Sequence, residues 1–134
     1  LMKKLLIVLF SILISVNSYG EFTEIGTNKQ GRTYYVDYDS ITEDGRYINF
    51  WMLTDYVISS KGFMSDQVYM KINCKVLSYK PLKVTAYKGQ MGKGEKKKRP
   101  IPSSKWTYMM PNTIGYFMLT EICKYVKNEN TLKI

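Results

Sequence analysis

The stretch Gln67–Leu77, QVYMKINCKVL, constrains this chain more than any other. Its side chains alternate without a break. Val68, Met70, Ile72, Cys74 and Val76 fall on one side, and Tyr69, Lys71, Asn73 and Lys75 on the other. A repeat of two is the signature of a strand with one buried and one wet face. Cys74 lies on the apolar side. Cys123, the second of two cysteines, sits in a C-terminal segment with helical spacing. A bridge between them would clamp that helix onto the sheet.

The pairing of these cysteines depends on compartment, and the N-terminus speaks to that. Lys3 and Lys4 precede an apolar run, Leu5–Val16, and Ser18-Tyr19-Gly20 offers small residues at a cleavage site. These are the three parts of a secretory signal peptide, and the run is shorter than the ~20 residues a membrane span needs. Residues 1–20 are therefore expected to be removed, leaving 21–134 as a single domain with no transmembrane anchor. No cysteine stands near the cut, so the exported chain is not expected to be a lipoprotein. Two cysteines in an exported chain are expected to pair. Loss of Lys3 and Lys4 takes the formal charge from +9 to +7.

The rest of the mature chain reads mostly as strands. Phe22–Thr27 and Arg32–Tyr38 flank a turn at Asn28–Gly31, and Asp39-Ser40 begins a break. Glu43-Asp44-Gly45 signals a tight hairpin into Arg46–Tyr56, which is apolar on both faces and so suits a central or interface strand. Val57–Ser65 reads as a loop. After Pro81, Leu82, Val84 and Ala86 face in while Lys83, Thr85 and Tyr87 face out. Gly89–Ser104 carries three glycines, two prolines and a charge run, and reads as a long exposed loop. Lys105–Met109 is a short final strand. A helix follows, with Asn112 or Thr113 as its N-cap and Ile114, Phe117, Met118, Ile122, Tyr125 and Val126 as its apolar stripe, and Asn128–Ile134 is expected to fray. The fold class is α+β: an antiparallel sheet of about six strands with the C-terminal helix packed on one face and tethered by the disulfide.

The residues also carry a likeness. Ile25-Gly26, Tyr34-Tyr35-Val36-Asp37 with Ser40-Ile41, and Trp51 with Leu53 and Asp55-Tyr56 come first. Lys71-Ile72-Asn73-Cys74-Lys75, Met91-Gly92-Lys93-Gly94, Trp106-Thr107-Tyr108 before Pro111 and Thr113, and Ile122-Cys123 follow. In this order, over nearly the whole mature chain, they resemble the bacterial surface-adhesin protein E family. The resemblance implies a curved antiparallel sheet with the helix disulfide-tethered to its concave face, and dimers. It also implies an adhesin that binds host extracellular-matrix proteins. Residue by residue, only Cys74 and Cys123 carry over.

The chain offers little to catalysis. It has no histidine, which removes Ser-His and Cys-His arrangements. Two cysteines are too few for a zinc site, and their spacing is not Cys-x-x-Cys. Gly89–Gly94 lacks the glycine spacing of a P-loop. Asp37 and Asp39 could pair for calcium, but turn capping is the expected role. No enzyme activity, cofactor or metal is expected.

Two features point to binding. Lys93, Lys96, Lys97, Lys98 and Arg99 form a basic run held open by Gly92, Gly94 and Pro100, which suits an anionic polysaccharide or an acidic protein patch. The plainer alternative is a solvated loop without a partner. Tyr69, Lys71, Lys75, Lys83 and Tyr87 form a sheet face of aromatic anchors beside cations, typical of protein interfaces, with ordinary wet strand residues as the alternative. The Trp51 face is a candidate homodimer surface. An exported, non-enzymatic binding module for cell adhesion follows, recognising a protein or anionic glycan and not nucleic acid. The alternative is a periplasmic, envelope-associated structural or assembly accessory.

Overall fold

The computed structural model describes residues 21–132; the expected signal segment, 1–20, lies outside them. Seven antiparallel strands and one helix follow in order: β1 (Thr23–Thr27), β2 (Thr33–Asp44), β3 (Tyr47–Ser60), β4 (Phe63–Asn73), β5 (Ser78–Tyr87), β6 (Lys96–Arg99), β7 (Thr107–Tyr108) and α1 (Ile114–Leu132). The strands make one open meander, β1-β2-β3-β4-β5-β6, and β7 adds to the start of β5.

Turn chemistry sets the register. Asp44 pairs with Tyr47 across Gly45-Arg46, with Gly45 at φ 62°, as a two-residue hairpin with glycine first requires. Ser60 pairs with Phe63 across Lys61 and Gly62, at φ 52° and 84°, the two positive angles of a type I′ turn. The expected loop at Val57–Ser65 is thus a tight hairpin; its polar composition hid the turn. The expected break at Asp39-Ser40 is instead a bulge inside β2, where the register shifts between Asp37 and Thr42. Ser40 Oγ donates to the Asp37 carbonyl and accepts from the Trp51 N–H, replacing the displaced ladder bond. Asp37 Oδ1 accepts the Asp39 N–H, the local capping role expected of it.

One face of the sheet carries the core. Val36, Ile48, Phe50, Met52, Met70 and Ile72 meet Met118, Leu119 and Ile122 of α1. The alternation read from Gln67 onward holds to Ile72. The strand then stops at Asn73, so Cys74–Leu77 form the turn into β5 and Val76, expected inside, is exposed. Cys74 packs at the margin of the core and bonds Cys123, with Cα atoms 5.8 Å apart. Thr113 is the N-cap, its Oγ1 accepting the Tyr116 N–H. Met118 and Ile122 of the expected stripe are buried and Val126 packs beside them, but Leu119, not in that stripe, is fully buried, and Phe117 is 49% exposed. Cys123 must face Cys74, and that brings Leu119 and Ile122 inward with it. The expected fraying from Asn128 does not occur through Leu132; Asn130 donates to Glu43 Oε1 on β2.

The disulfide closes a loop between positions 49 apart. Constraining that loop in the unfolded chain is worth about 4 kcal/mol, comparable with fully burying two large apolar side chains. Replacing both cysteines with alanine is expected to lower the unfolding free energy by about that amount, measured by urea denaturation. A loss below about 1 kcal/mol would show that apolar packing alone seats the helix.

Candidate binding face

The sheet face opposite α1 is built by the odd-numbered residues of β3 and β4. Register sets Tyr47 opposite Asn73, Asn49 opposite Lys71, Trp51 opposite Tyr69 and Leu53 opposite Gln67. β5 extends this face with Lys80 beside Lys71 and Lys83 beside Tyr69. Pro81 and Leu82 absorb a bulge between those two pairs. Without it, one of the two lysines would point to the helix side.

The side chains interleave. Trp51 stacks on Tyr69 and Tyr47 on Trp106, each with ring centroids 5.0 Å apart. Lys71 Nζ lies 4.9 Å from the Tyr47 ring and Lys80 Nζ 5.0 Å from the Trp106 ring, with Lys83 Nζ 5.9 Å from Tyr69. Cations over ring faces are attracted by the ring quadrupole, which steadies both partners without burying the charge. Lys71 also pairs with Asp44 at 3.0 Å. The row from Trp106 to Lys83 is thus a preorganised surface of rings and ammonium groups.

One end of this face is covered by the chain itself. Gly89–Lys93 folds over β3 and β4, with the Met91 N–H donating to Asp55 Oδ1 and Gln90 Nε2 to the Tyr56 carbonyl. Ser65 Oγ, fully buried, donates to the Gly89 carbonyl and accepts the Gly92 N–H. Leu53 is fully buried although it faces away from α1. Gly92 has φ 70°, a backbone conformation that favours glycine, and a Cβ there would also push the Gln67 amide aside.

The basic run is not a loop. Lys96–Arg99 is the edge strand β6, paired with β5, and Pro100 follows its end. Its glycines and prolines flank the pairing rather than prevent it. Because a strand alternates, the run divides across the sheet. Lys96 and Lys98 oppose Tyr87 and Thr85 on the face away from α1, and Lys97 and Arg99 oppose Ala86 and Val84 on the other. Lysines along an edge also keep it from pairing with another chain. On the helix side of this edge, Lys61, Lys88, Lys97 and Arg99 gather around Phe63, with Lys96 reaching in and Glu95 the one acid. Lys88 Nζ is 4.6 Å and the Arg99 guanidinium 5.5 Å from the Phe63 ring.

Of the residues expected on the Tyr/Lys face, Tyr69, Lys71 and Lys83 come together, and Tyr87 shares their side toward the β6 edge. Lys75 does not: it lies in the turn after β4, its N–H held by Asn73 Oδ1. Lys93 closes the covering loop, separate from β6. Tyr47, Lys80, Trp106, Lys61 and Lys88 were missed. For Tyr47 the signal was present, since it alternates with Trp51 in the Arg46–Tyr56 strand. Trp106 and Lys88 are placed by β7 and by the Lys88–Glu95 backbone pairing, which no local pattern announces.

No cluster of three or more histidine, cysteine or acidic side chains that could hold a metal occurs among the described residues, and no described helix is long and apolar enough to cross a membrane. One acid is unusual. Asp66 is half-buried beside Tyr56, whose hydroxyl donates to its Oδ2. Burial pushes the Asp66 carboxyl above the ordinary range, although the Tyr56 bond and Arg32 pull it back. Burial and the Asp66 carboxylate raise Tyr56 as well.

A disulfide-seated helix covers one sheet face, and aromatic and cationic side chains gather on the opposite one. The Surface-adhesin protein E family matches residues 22–124, and the chain belongs to that family. It is an adhesin-like surface binding protein, and as such an exported one. Crystal form II of Haemophilus influenzae protein E is similar at 19% identity and TM-score 0.62, over 81% of this chain and 91% of that one. Protein E from non-typeable Haemophilus influenzae gives 17% and 0.57, over 81% and 78%. At these identities the likeness is one of fold. Comparison with curated proteins finds no match.

The Asp66 carboxyl gives a pH test. A raised folded value means the folded state holds its proton more tightly, so Asp66 favours folding below about pH 4 and that contribution is lost as pH rises through the folded value. Asp66→Asn removes this dependence. The difference in urea midpoint, variant minus parent, is expected to rise between about pH 4 and 7. A flat difference would contradict the raised value.

Proposed function

We propose that this chain is an exported, non-enzymatic adhesion module that takes an anionic polysaccharide on the sheet face opposite α1. The reading rests on the row Trp106, Tyr47, Trp51 and Tyr69 with Lys80, Lys71 and Lys83 set among the rings. Sugar rings present C–H faces that pack on aromatic rings, and carboxylate or sulfate substituents pair with lysine. Lys98 and Lys96 extend the same face to the sheet edge. A net charge of +7 after signal removal draws a polyanion from a distance. The Lys93–Arg99 run thus contributes through Lys96 and Lys98, not as a single finger.

A second reading has one observation in its favour. Among the described residues β1 pairs only with β2, and its sequence, TEIGT, lacks the lysines that guard β6. An open, unguarded edge suits strand addition by another envelope protein. That serves a periplasmic accessory role as well as adhesion to a protein.

Binding of residues 21–134 to a sulfated or uronic-acid glycan is expected to weaken as salt rises. Neutralising Lys80, Lys83 and Lys98 together is expected to weaken it about tenfold or more, measured by surface plasmon resonance. Neutralising Lys97 and Arg99, on the opposite side, is expected to change it less than about threefold. The reverse order of effects would move the site to the Phe63 cradle, and no glycan binding at any salt would leave strand addition at β1.

A further inference from the structure

The helix side holds a second feature that polysaccharide binding does not use. Beside the first turns of α1 lies a cavity of about 980 Å³. Pockets that enclose small organic ligands span ~300–1,000 Å³, so it stands at the upper end of that range. Met52 and Met70 of the sheet, Met109 and Met110 of the linker, and Met118 of α1 line it, five of the chain's eight methionines. Tyr34, Tyr79 and Tyr108 supply aromatic walls. Methionine is flexible and polarisable, and it forms surfaces that adapt to apolar ligands of varied shape.

The walls come from four segments: the sheet, the linker, the start of α1 and the β1–β2 turn. The Met109 N–H donates to the Leu77 carbonyl, which fixes the linker to the sheet. A Cβ on Gly115 would sit 2.6 Å from Met109 Sδ, so glycine makes room for the Met109 side chain against the helix. Asn112 then turns the chain into α1 at φ 62°, a conformation asparagine tolerates. The β1–β2 turn closes the remaining side with Asn28, Lys29 and Gln30.

Two observations concern what enters. Tyr108 and Met110 stand at the mouth 72% and 69% exposed, apolar surface that folding leaves in water. The lining contains no aspartate or glutamate, and its one charged residue is Lys29. We propose that this cavity binds a single-chain anionic amphiphile. Its hydrocarbon tail lies among the methionines, Tyr108 and Met110 fold against it, and its head group pairs with Lys29. A fatty acid and a lysophospholipid share this chemistry.

The test is displacement of a dansyl-labelled fatty acid from the mature, disulfide-bonded chain. Competitors are palmitate, palmitoyl lysophosphatidylglycerol and neutral monopalmitoylglycerol. Saturable uptake is expected, with whichever anionic competitor displaces better naming the source. Met110→Asp and Tyr108→Asp change exposed residues, so melting is expected to hold while affinity falls about tenfold. Lys29→Glu is expected to weaken both anionic competitors about fivefold and leave the neutral one unchanged. No saturable uptake would overturn the proposal, as would uptake indifferent to Met110→Asp and Tyr108→Asp in chains that melt as the parent does. Equal effects of Lys29→Glu on neutral and anionic competitors would overturn the head-group assignment. Self-association lost in Met110→Asp, without amphiphile uptake, would make the occupant a second copy and overturn it too. Met110→Asp and Lys29→Glu leave the outer-face row of rings and lysines unchanged, so glycan binding reads separately in them, whereas Tyr108 shares the Trp106 side of β7.

Discussion

The bond between Cys74 and Cys123 is the constraint on which the other features of the molecule depend. It joins the turn after β4 to the middle of α1, and so chooses both the face of the sheet that is covered and the side of the helix that covers it. A helix of this length packed on a few sheet residues gains little from its own backbone hydrogen bonds in water. Its stability comes from Met118, Leu119 and Ile122 against the sheet, and from the unfolded chain being shortened by the bridge. The bridge is available because the chain is exported; in a reducing compartment the same two thiols would not hold.

Covering one face leaves the other with a physical problem. Trp51, Trp106, Tyr47 and Tyr69 form an aromatic surface over which no second layer lies among the described residues. Such a surface invites association. Lysines set over the rings keep water and charge at it, and the loop from Gly89 to Lys93 closes its most apolar end over Leu53. The lysines of β6 do the same for the sheet edge. In the proposed function, the lysines that keep water at this face are also the groups that would pair with a polyanion. On the helix side, the cavity is lined by the first turns of α1, and neither Cys74 nor Cys123 is among its lining residues.

The fold was legible from two local patterns: alternation along Met70 and Ile72, and three- and four-residue spacing around Met118 and Ile122. Both are burial periodicities and need no knowledge of distant partners. The turn at Lys61-Gly62 was missed because Ser59-Ser60-Lys61-Gly62 has loop composition, and only positive φ at two successive residues distinguishes a hairpin there. Within the helix stripe Phe117 was taken for Leu119, because the two are equally apolar and tertiary pairing of Cys123 chose between them. The basic run was misread as a loop because strand pairing at an edge depends on β5, not on Lys96–Arg99. Of the candidate sites, the residues that follow from alternation in one strand, Tyr69 and Lys71, were legible. Trp106 and Lys80 were not, since β7 and the bulge at Pro81 bring them in.

Both tryptophans, Trp51 and Trp106, lie on the outer face, so tryptophan emission, excited at the red edge where the twelve tyrosines do not absorb, reports on that face. The most direct measurement is acrylamide quenching of the mature chain, free and saturated with an anionic glycan. If the outer face is the binding face, the glycan is expected to cut the quenching constant about twofold or more, in line with burial of ring faces now open to solvent. Saturable glycan binding with unchanged quenching would contradict the assignment and place the partner on the helix side or at the sheet edge.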